Sequence, residues 1–473
     1  MIVKIDEKHA QFADLAFECL VCTPVMRIPI DLNVLGFRDL LPQIRTVPGS
    51  FTLEHSLLTL WVMQEGAAMG TYTFSRDVLD GFISEAFTGT PPNPCQDCVT
   101  TIYDIKNILS LHGYLSESKK VDSNAEEHGI RCVGQLSNTA EDLFCMDRPK
   151  YLPNLKNPCW YAKENGRFRL KCVPYYHILG VCKSGTTDLA YRIRAHEHVL
   201  SCSDCVKGKE TFYWCRRRYG YDVNMKSMSP CNFSCFQDKF AEAAKRIEET
   251  SKEAGYHTLI TGDATPSDFN DFRGWPKIPQ NVGLEKPVVL TPHLMRHVYT
   301  DPKFILILRN PADRLYSDFM MMSGSSAADF HKAVSRDIQI EENCMKNYTV
   351  EQCLYSLDIA KRLRTRIYLG CYSVFMREWL KVFPREQFLI LRTEDHDQDP
   401  KAQLAKVFNY LNLNYTQEWI TSIAKLPHQH ASKKKILMGP MLEKTRVLLD
   451  NFYSRYKKDM ADLLQDKRFL WLT

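Results

Sequence analysis

The run from Tyr175 to Arg194, YYHILGVCKSGTTDLAYRIR, constrains the fold more than any other stretch of the chain. An apolar segment over residues 177–182 stops at Lys183, Ser184, Gly185, Thr186 and Thr187, and an amphipathic helical pattern follows from Asp188. This is the pattern of a strand, a phosphate-sized turn and a helix start. Glycine lets the turn's backbone approach an anion, and the free amides of a helix start supply donors at the positive end of the helix dipole. The lysine and the two threonine hydroxyls complete such a cradle.

The order of residues in the turn matters. A nucleoside-triphosphate loop of the GxxxxGK[ST] type places its lysine after the last glycine. Here Gly180 and Gly185 have that spacing, but Thr186 stands at the lysine position and Lys183 precedes the glycine. A kinase or NTPase reading therefore lacks its lysine.

Downstream, strand and helix patterns alternate. The spacing predicts helices over 238–254, 350–366, 372–383 and 401–411, with strands over 258–261, 303–308 and 387–391. KFILIL at 303–308 is continuously apolar, as in a strand buried on both faces. Such alternation specifies an α/β fold, a P-loop-like parallel sheet with helices on both faces. Ligands in such sheets bind beyond the carboxyl ends of the strands, and the chemistry-bearing motifs all sit there.

Three further motifs and a lysine run stand out. KFILIL runs into RNPADRLYS, which places Arg309 at a strand end and Ser317 on the following helix. A guanidinium fork with a hydroxyl suits a phosphate dianion, although Arg309 could equally cap a carbonyl or pair with Asp313. In GDATPSDF, Asp263 ends a strand and is a candidate general base. Turn or helix-cap hydrogen bonding is its structural alternative, with His293 and His297 as fallback bases. In the block LGCYSVFMREWLKVFPREQFLILRTED, the aromatic residues at helical spacing are assigned to the core. Near the C-terminus, Lys433, Lys434 and Lys435 form either a solvated turn or a cover over an anionic ligand.

Composition narrows the class. The chain has 473 residues, 44% hydrophobic and 25% charged, with a formal net charge of +5. That is ordinary for a globular protein and too weakly basic to indicate nucleic-acid binding. Residues 1–165 form an N-terminal region of unknown role, less regular than the rest, with helices expected over 53–69 and 100–112; residues 166–473 form the main domain.

Seventeen cysteines, with sequons at Asn232, Asn347 and Asn414, favour an oxidising secretory compartment. The CxxC pairs Cys19/Cys22, Cys95/Cys98 and Cys202/Cys205 invite a zinc reading, but no regular second pair completes a ribbon. A disulfide-tied insertion near 202–235, with Arg216, Arg217 and Arg218 on a basic surface, is the better account. Cys344 and Cys353 close a second loop, Cys182 stays free, and no metal is expected. No stretch approaches the roughly 20 apolar residues that span a bilayer, and the N-terminus has no signal-peptide core. An anchor lost upstream reconciles this with the cysteines; reduced cysteines and unused sequons are the alternative.

With KSGTT opening a helix, RNPADRLYSDF after a strand, GDATPSDF, the GxYxxxxxxWLxxFP block and the KRFLW ending, residues 175–471 resemble the Golgi carbohydrate sulfotransferases. They are most similar to those acting at the 6-hydroxyl of N-acetylgalactosamine 4-sulfate. The resemblance implies 3′-phosphoadenylyl sulfate (PAPS) as donor, a sulfated glycosaminoglycan of the chondroitin or dermatan type as acceptor, and a membrane-anchored protein of the Golgi lumen. It further implies that Lys183, Ser184, Gly185, Thr186 and Thr187 hold the 5′-phosphosulfate and Arg309 and Ser317 the 3′-phosphate. Lys434 would lie over the nucleotide, and Asp263 would replace the family's catalytic glutamate, one methylene shorter. Heparan sulfate or another carbohydrate as acceptor, and a non-catalytic glycan-binding protein keeping the fold, are the alternatives.

Overall fold

The computed structural model describes residues 74–75, 115–116 and 130–473, apart from 165, 223, 252–254, 323–325, 429–438 and 473. Two compact units divide the chain, Met1–His128 and Gly129–Thr473. In the first, Phe74–Ser75 pairs in parallel with Leu115–Ser116. The helices expected over 53–69 and 100–112, and the pairs Cys19/Cys22 and Cys95/Cys98, lie outside the described residues.

The second unit opens with an antiparallel hairpin, β1 (Cys159–Glu164) and β2 (Arg167–Cys172), in which Cys159 and Cys172 are register partners joined by a disulfide. Then come β3 (Tyr176–Gly180), α1 (Thr186–Arg194), β4 (Val199–Leu200), α2 (Phe233–Asp238) and α3 (Ala241–Ser251). Next are β5 (Ile260–Asp263), α4 (Thr291–Val298), β6 (Lys303–Leu308), α5 (Pro311–Met322) and α6 (Ala327–Met345). The unit continues with α7 (Tyr372–Leu380), β7 (Phe388–Arg392), α8 (Pro400–Tyr410) and the long α9 (Glu443–Leu464). The central sheet has five strands in the order β4-β5-β3-β6-β7, every pair parallel. The chain leaves β3 to one side for β4 and β5 and returns on the other for β6. The strand order therefore reverses at β3, where ligands of open α/β sheets bind.

Two apolar layers cover the sheet, as continuous runs demand of strands buried on both faces. Leu179, Phe304, Leu306 and Leu308 pack into one, with α4, α5, α7 and α9. Ile178, Ile305 and Ile307 alternate into the other, against Leu189 and Ile193 of α1 and Leu404, Val407 and Phe408 of α8. Each fully buried side chain contributes about 1.5–3 kcal/mol. The aromatic stripe of α7 is core as expected: Trp379 and Phe375 are fully buried, and Phe304 meets the Trp379 ring at 5.2 Å.

One expected helix is present and one is broken. The 238–254 pattern forms α3, which starts after the chain turns at Lys239 and Phe240; α2 is a separate helix ahead of it, capped by Asn232 through a bond from Cys235 N at 2.9 Å. The 350–366 pattern resolves into Val350–Leu354 and Leu357–Arg362, the second capped by Ser356. Its tail leaves the helix because buried Asp337 of α6 accepts hydrogen bonds from the amides of Arg364 and Thr365. Arg366 thereby stands in a loop.

Among the described residues the disulfides are Cys132–Cys145, Cys159–Cys172, Cys202–Cys205, Cys231–Cys235 and Cys344–Cys353. Cys182 is free as expected, but so are Cys215 and Cys371. Among them, too, no helix is long and apolar enough to cross a membrane.

Candidate active site

The turn after β3 is built as a cradle. Val181 N donates to Ile307 O at 3.0 Å, which continues the β3–β6 pairing, and the chain then folds back through left-handed Lys183 (φ 72°) and Gly185 (φ 92°). Glycine adopts that conformation freely, whereas Lys183 holds it at a cost of about 1–3 kcal/mol, of the kind stored at functional sites. Gly185 is the N-cap of α1 and no side chain caps the helix, so its first amides have no intrahelical acceptor. Ser184 is fully buried with a hydroxyl that has no partner among the described residues. Thr186 is buried and Thr187 half-buried. Thr393, just after β7, braces the turn: its hydroxyl lies 2.8 Å from Ser184 O and 3.0 Å from Leu308 O.

Arg309 continues β6 and meets this turn directly. Its Nη1 donates to Lys183 O at 3.3 Å, the carbonyl cap that is its structural alternative, made here to the turn itself, and its own carbonyl accepts from the Tyr372 hydroxyl at 2.9 Å. Glu394 fixes the next residue by accepting from Asn310 N at 2.8 Å. Ser317 is half-buried on α5 beside buried Asp318. Lys183 reaches the same helix, with Nζ 3.5 Å from Met321 Sδ. Burial pulls the Lys183 ammonium pKa down, Asp318 opposes that, and Arg366 and Arg309 add to it. The fold thus joins Lys183, Ser184, Gly185, Thr186 and Thr187 to Arg309 at neighbouring strand ends; Lys434 lies outside the described residues.

Asp263 ends β5 in register with His177 of β3 and is fully buried. Its Oδ1 accepts from Thr265 Oγ1 at 2.7 Å and from Thr211 N at 3.3 Å, and its Oδ2 accepts from the Thr211 hydroxyl. Burial pushes its carboxyl up to about 6, while the bonds from Thr211 and Thr265 pull the other way. It is therefore a hydrogen-bonded turn residue whose carboxyl is raised by burial. His293 and His297 of α4 serve structure instead: His293 Nδ1 accepts from Leu290 N at 3.1 Å, and His297 Nε2 is 2.8 Å from Met146 O.

The insertion corrects one expectation: Arg216 and Arg218 do not form a basic surface but are turned inward. Arg216 pairs with buried Asp271 at 3.2 Å, which also receives Arg273 at 2.6 Å, and Arg218 packs against the rings of Tyr213, Trp214 and Tyr219. Buried guanidinium needs such partners, and these lie too far along the chain, or in too hydrophobic a run, to be read as partners from sequence. Cys202 and Cys205 are disulfide-bonded, so this CxxC pair does not offer the thiolates zinc binds. Thr393 and Arg366 escaped the sequence reading, the first because it acts through backbone carbonyls; Tyr372 is core as expected but also donates to the Arg309 carbonyl.

The sulfotransferase domain family matches residues 176–455, from the first residue of β3 into α9. Rat carbohydrate sulfotransferase 15 is 31% identical over 476 positions, covering 86% of this chain and 83% of that one; its human counterpart is 30% identical over 383, covering 70% and 67%. Among solved structures, a sulfotransferase from Alicyclobacillus acidocaldarius aligns over 62% of this chain and 96% of that one, at 17% identity and a TM-score of 0.39. The lysine-before-glycine turn, the parallel sheet that presents it and the extent of the domain match and of the rat relative's match place the chain in the carbohydrate sulfotransferase family, as a PAPS-dependent enzyme.

Proposed function

We propose that this enzyme transfers the sulfuryl group of PAPS to the 6-hydroxyl of N-acetylgalactosamine 4-sulfate in chondroitin or dermatan sulfate. The observation that carries the donor reading is the bond from Arg309 to the Lys183 carbonyl, which sets a second cationic strand end against a phosphate-sized turn. The buried Ser184 hydroxyl, without a partner among the described residues, and the uncapped start of α1 fit an anion held there. Lys183, Ser184, Gly185, Thr186 and Thr187 bind the 5′-phosphosulfate, and Arg309 and Ser317 bind the 3′-phosphate.

In the transfer, the acceptor oxygen forms its bond to sulfur as the bond from sulfur to the bridging phosphate oxygen breaks. Asp263 takes the acceptor's proton, and Lys183 stabilises the charge developing on the bridging oxygen. A carbohydrate acceptor is supported by the carbohydrate sulfotransferase 15 relatives, and the 6-hydroxyl of N-acetylgalactosamine 4-sulfate by the motif resemblance. The five disulfides among the described residues support the lumen of the Golgi as its location.

Radiolabelled sulfate transfer from PAPS to chondroitin 4-sulfate, dermatan sulfate and heparan sulfate, followed by disaccharide analysis, tests the reading. The expected product is the 4,6-disulfated galactosamine disaccharide. Label confined to heparan sulfate would overturn the acceptor, and no label in any glycan would overturn transfer.

A further inference from the structure

Beside the Lys183 turn lies a second cationic group that the reading above leaves unused. Asp318 of α5 is buried and accepts from two arginines: Arg366 through Nε at 2.8 Å and also through Nη2, and Arg314 through Nη1 at 3.3 Å. Arg314 Nη2 also donates to Arg366 O at 2.9 Å, locking the loop that carries Arg366 onto the helix. Met321, the contact of Lys183 Nζ, is three residues beyond Asp318 and so on the same face of α5. The triad and the lysine therefore share one helix face.

The two arginines are not equivalent. Arg314 is fully enclosed, while the Arg366 side chain is 26% exposed. Arg366 spends one edge of its guanidinium on Asp318, and its Nη1 makes no hydrogen bond to any described residue. Two guanidiniums on one carboxylate leave one positive charge over, and Lys183 and Arg309 stand close by. Cations gathered this way repel one another in a poorly solvated setting unless an anion joins them.

We propose that Arg366 binds a sulfate-type oxyanion at the Lys183 turn through its outward edge, with Asp318 as the positioning residue that aims it. The inference rests on the sulfotransfer reading above. The ligand chemistry is a tetrahedral sulfate oxygen set, supplied either by the sulfuryl group of the donor or by the sulfate already on the acceptor. Protonation states agree with this geometry. Burial pushes the Asp318 carboxyl up, but Arg366 and Arg314 outweigh it and hold it below the usual carboxylate range, so the aiming charge persists. The Cys182 thiol next to the turn is pushed up by burial and adds no negative charge to offset the cations.

The test compares ligands with and without sulfate on one protein. For Arg366→Ala and wild type, calorimetry gives the Kd of PAPS and of adenosine 3′,5′-bisphosphate, and transfer assays give the KM of chondroitin 4-sulfate and of desulfated chondroitin. A charge-assisted hydrogen bond is worth roughly tenfold or more in affinity, so one of the two sulfate-to-no-sulfate affinity ratios, taken as 1/Kd for the donor and 1/KM for the acceptor, is expected to fall by about that factor. A fall in the donor ratio assigns Arg366 to the sulfuryl group, and a fall in the acceptor ratio assigns it to the acceptor's sulfate. Both ratios unchanged overturns the proposal. Partial unfolding scales both members of a ratio alike and neither mimics nor hides the effect. If the alanine variant does not fold, Arg366→Lys satisfies Asp318 without offering a second edge and is expected to lose the same ratio severalfold. A wild-type protein that transfers to no glycan would refute the acceptor reading, while the donor ratio would still report on Arg366.

Discussion

Thr265 offers the sharpest test of Asp263 as the base. Its hydroxyl donates to Asp263 Oδ1 at 2.7 Å, and donation to a carboxylate favours the ionised form. Replacing it by valine removes that donor at nearly constant volume. A hydrogen bond to a charged group is worth about 1.5–3 kcal/mol, and one pKa unit corresponds to about 1.36 kcal/mol. The loss therefore raises the carboxyl by about 1–2 units, and the lower figure applies because both bonds from Thr211 remain. A base must be ionised to act, so the acidic limb of kcat/KM against pH, set by a group pushed up to about 6, moves about one unit towards alkaline pH in Thr265→Val. Thr265 also accepts from the amides of Thr211 and Phe212, at 2.9 and 3.1 Å, so the variant loses stability as well. The position of the limb, not its height, is the diagnostic quantity. A limb that stays in place, or moves to acid, removes Asp263 from the mechanism.

Other outcomes follow from the same geometry. Asp263→Asn is expected to abolish transfer while leaving donor affinity unchanged. It should also melt no lower than wild type at pH 7.5, because a buried carboxyl with a raised pKa contributes most stability below its unfolded value and loses it as pH rises through about 6. Lys183→Ala is expected to lower kcat about 100-fold or more, with a smaller change in donor KM, read in steady-state transfer assays. Arg309→Ala is expected to weaken adenosine 3′,5′-bisphosphate about tenfold or more; unchanged affinity by calorimetry would refute the 3′-phosphate assignment. Thr393→Val removes the brace on the turn and is expected to cost about 1–3 kcal/mol in chemical denaturation, with a measurable loss of donor affinity.

The parts of the fold legible in sequence were those specified over short range. The apolar run of β6, the turn at Lys183 and the helix start after it are each written in fewer than ten consecutive residues, and they appear where that local pattern places them. The arginines show the limit. Arg216 and Arg218 stand in a charged run that reads as solvated, yet Asp271 and a set of aromatic rings draw them inside. Arg366 sits at the end of a helical pattern, yet Asp337 strips its neighbours from the helix and Asp318 captures its side chain. Which carboxylate a guanidinium finds is decided by packing between distant segments, and periodicity carries no information about it. The Cys159–Cys172 pairing is likewise a matter of strand register.

The contact between Arg309 and the Lys183 carbonyl also bears on selectivity. Because one motif grips the other's backbone, the separation between the two cationic groups is tied to the backbone of the turn. On the proposed assignment, a ligand with anionic groups at both ends would be measured against that separation as a gauge, and one with a single anionic end, or with ends too close together, would forfeit one of the two cationic groups. Discrimination among nucleotides would thus be written into a span between two strand ends, and altering that span by one residue in the turn would recalibrate the gauge without touching any group that bears charge.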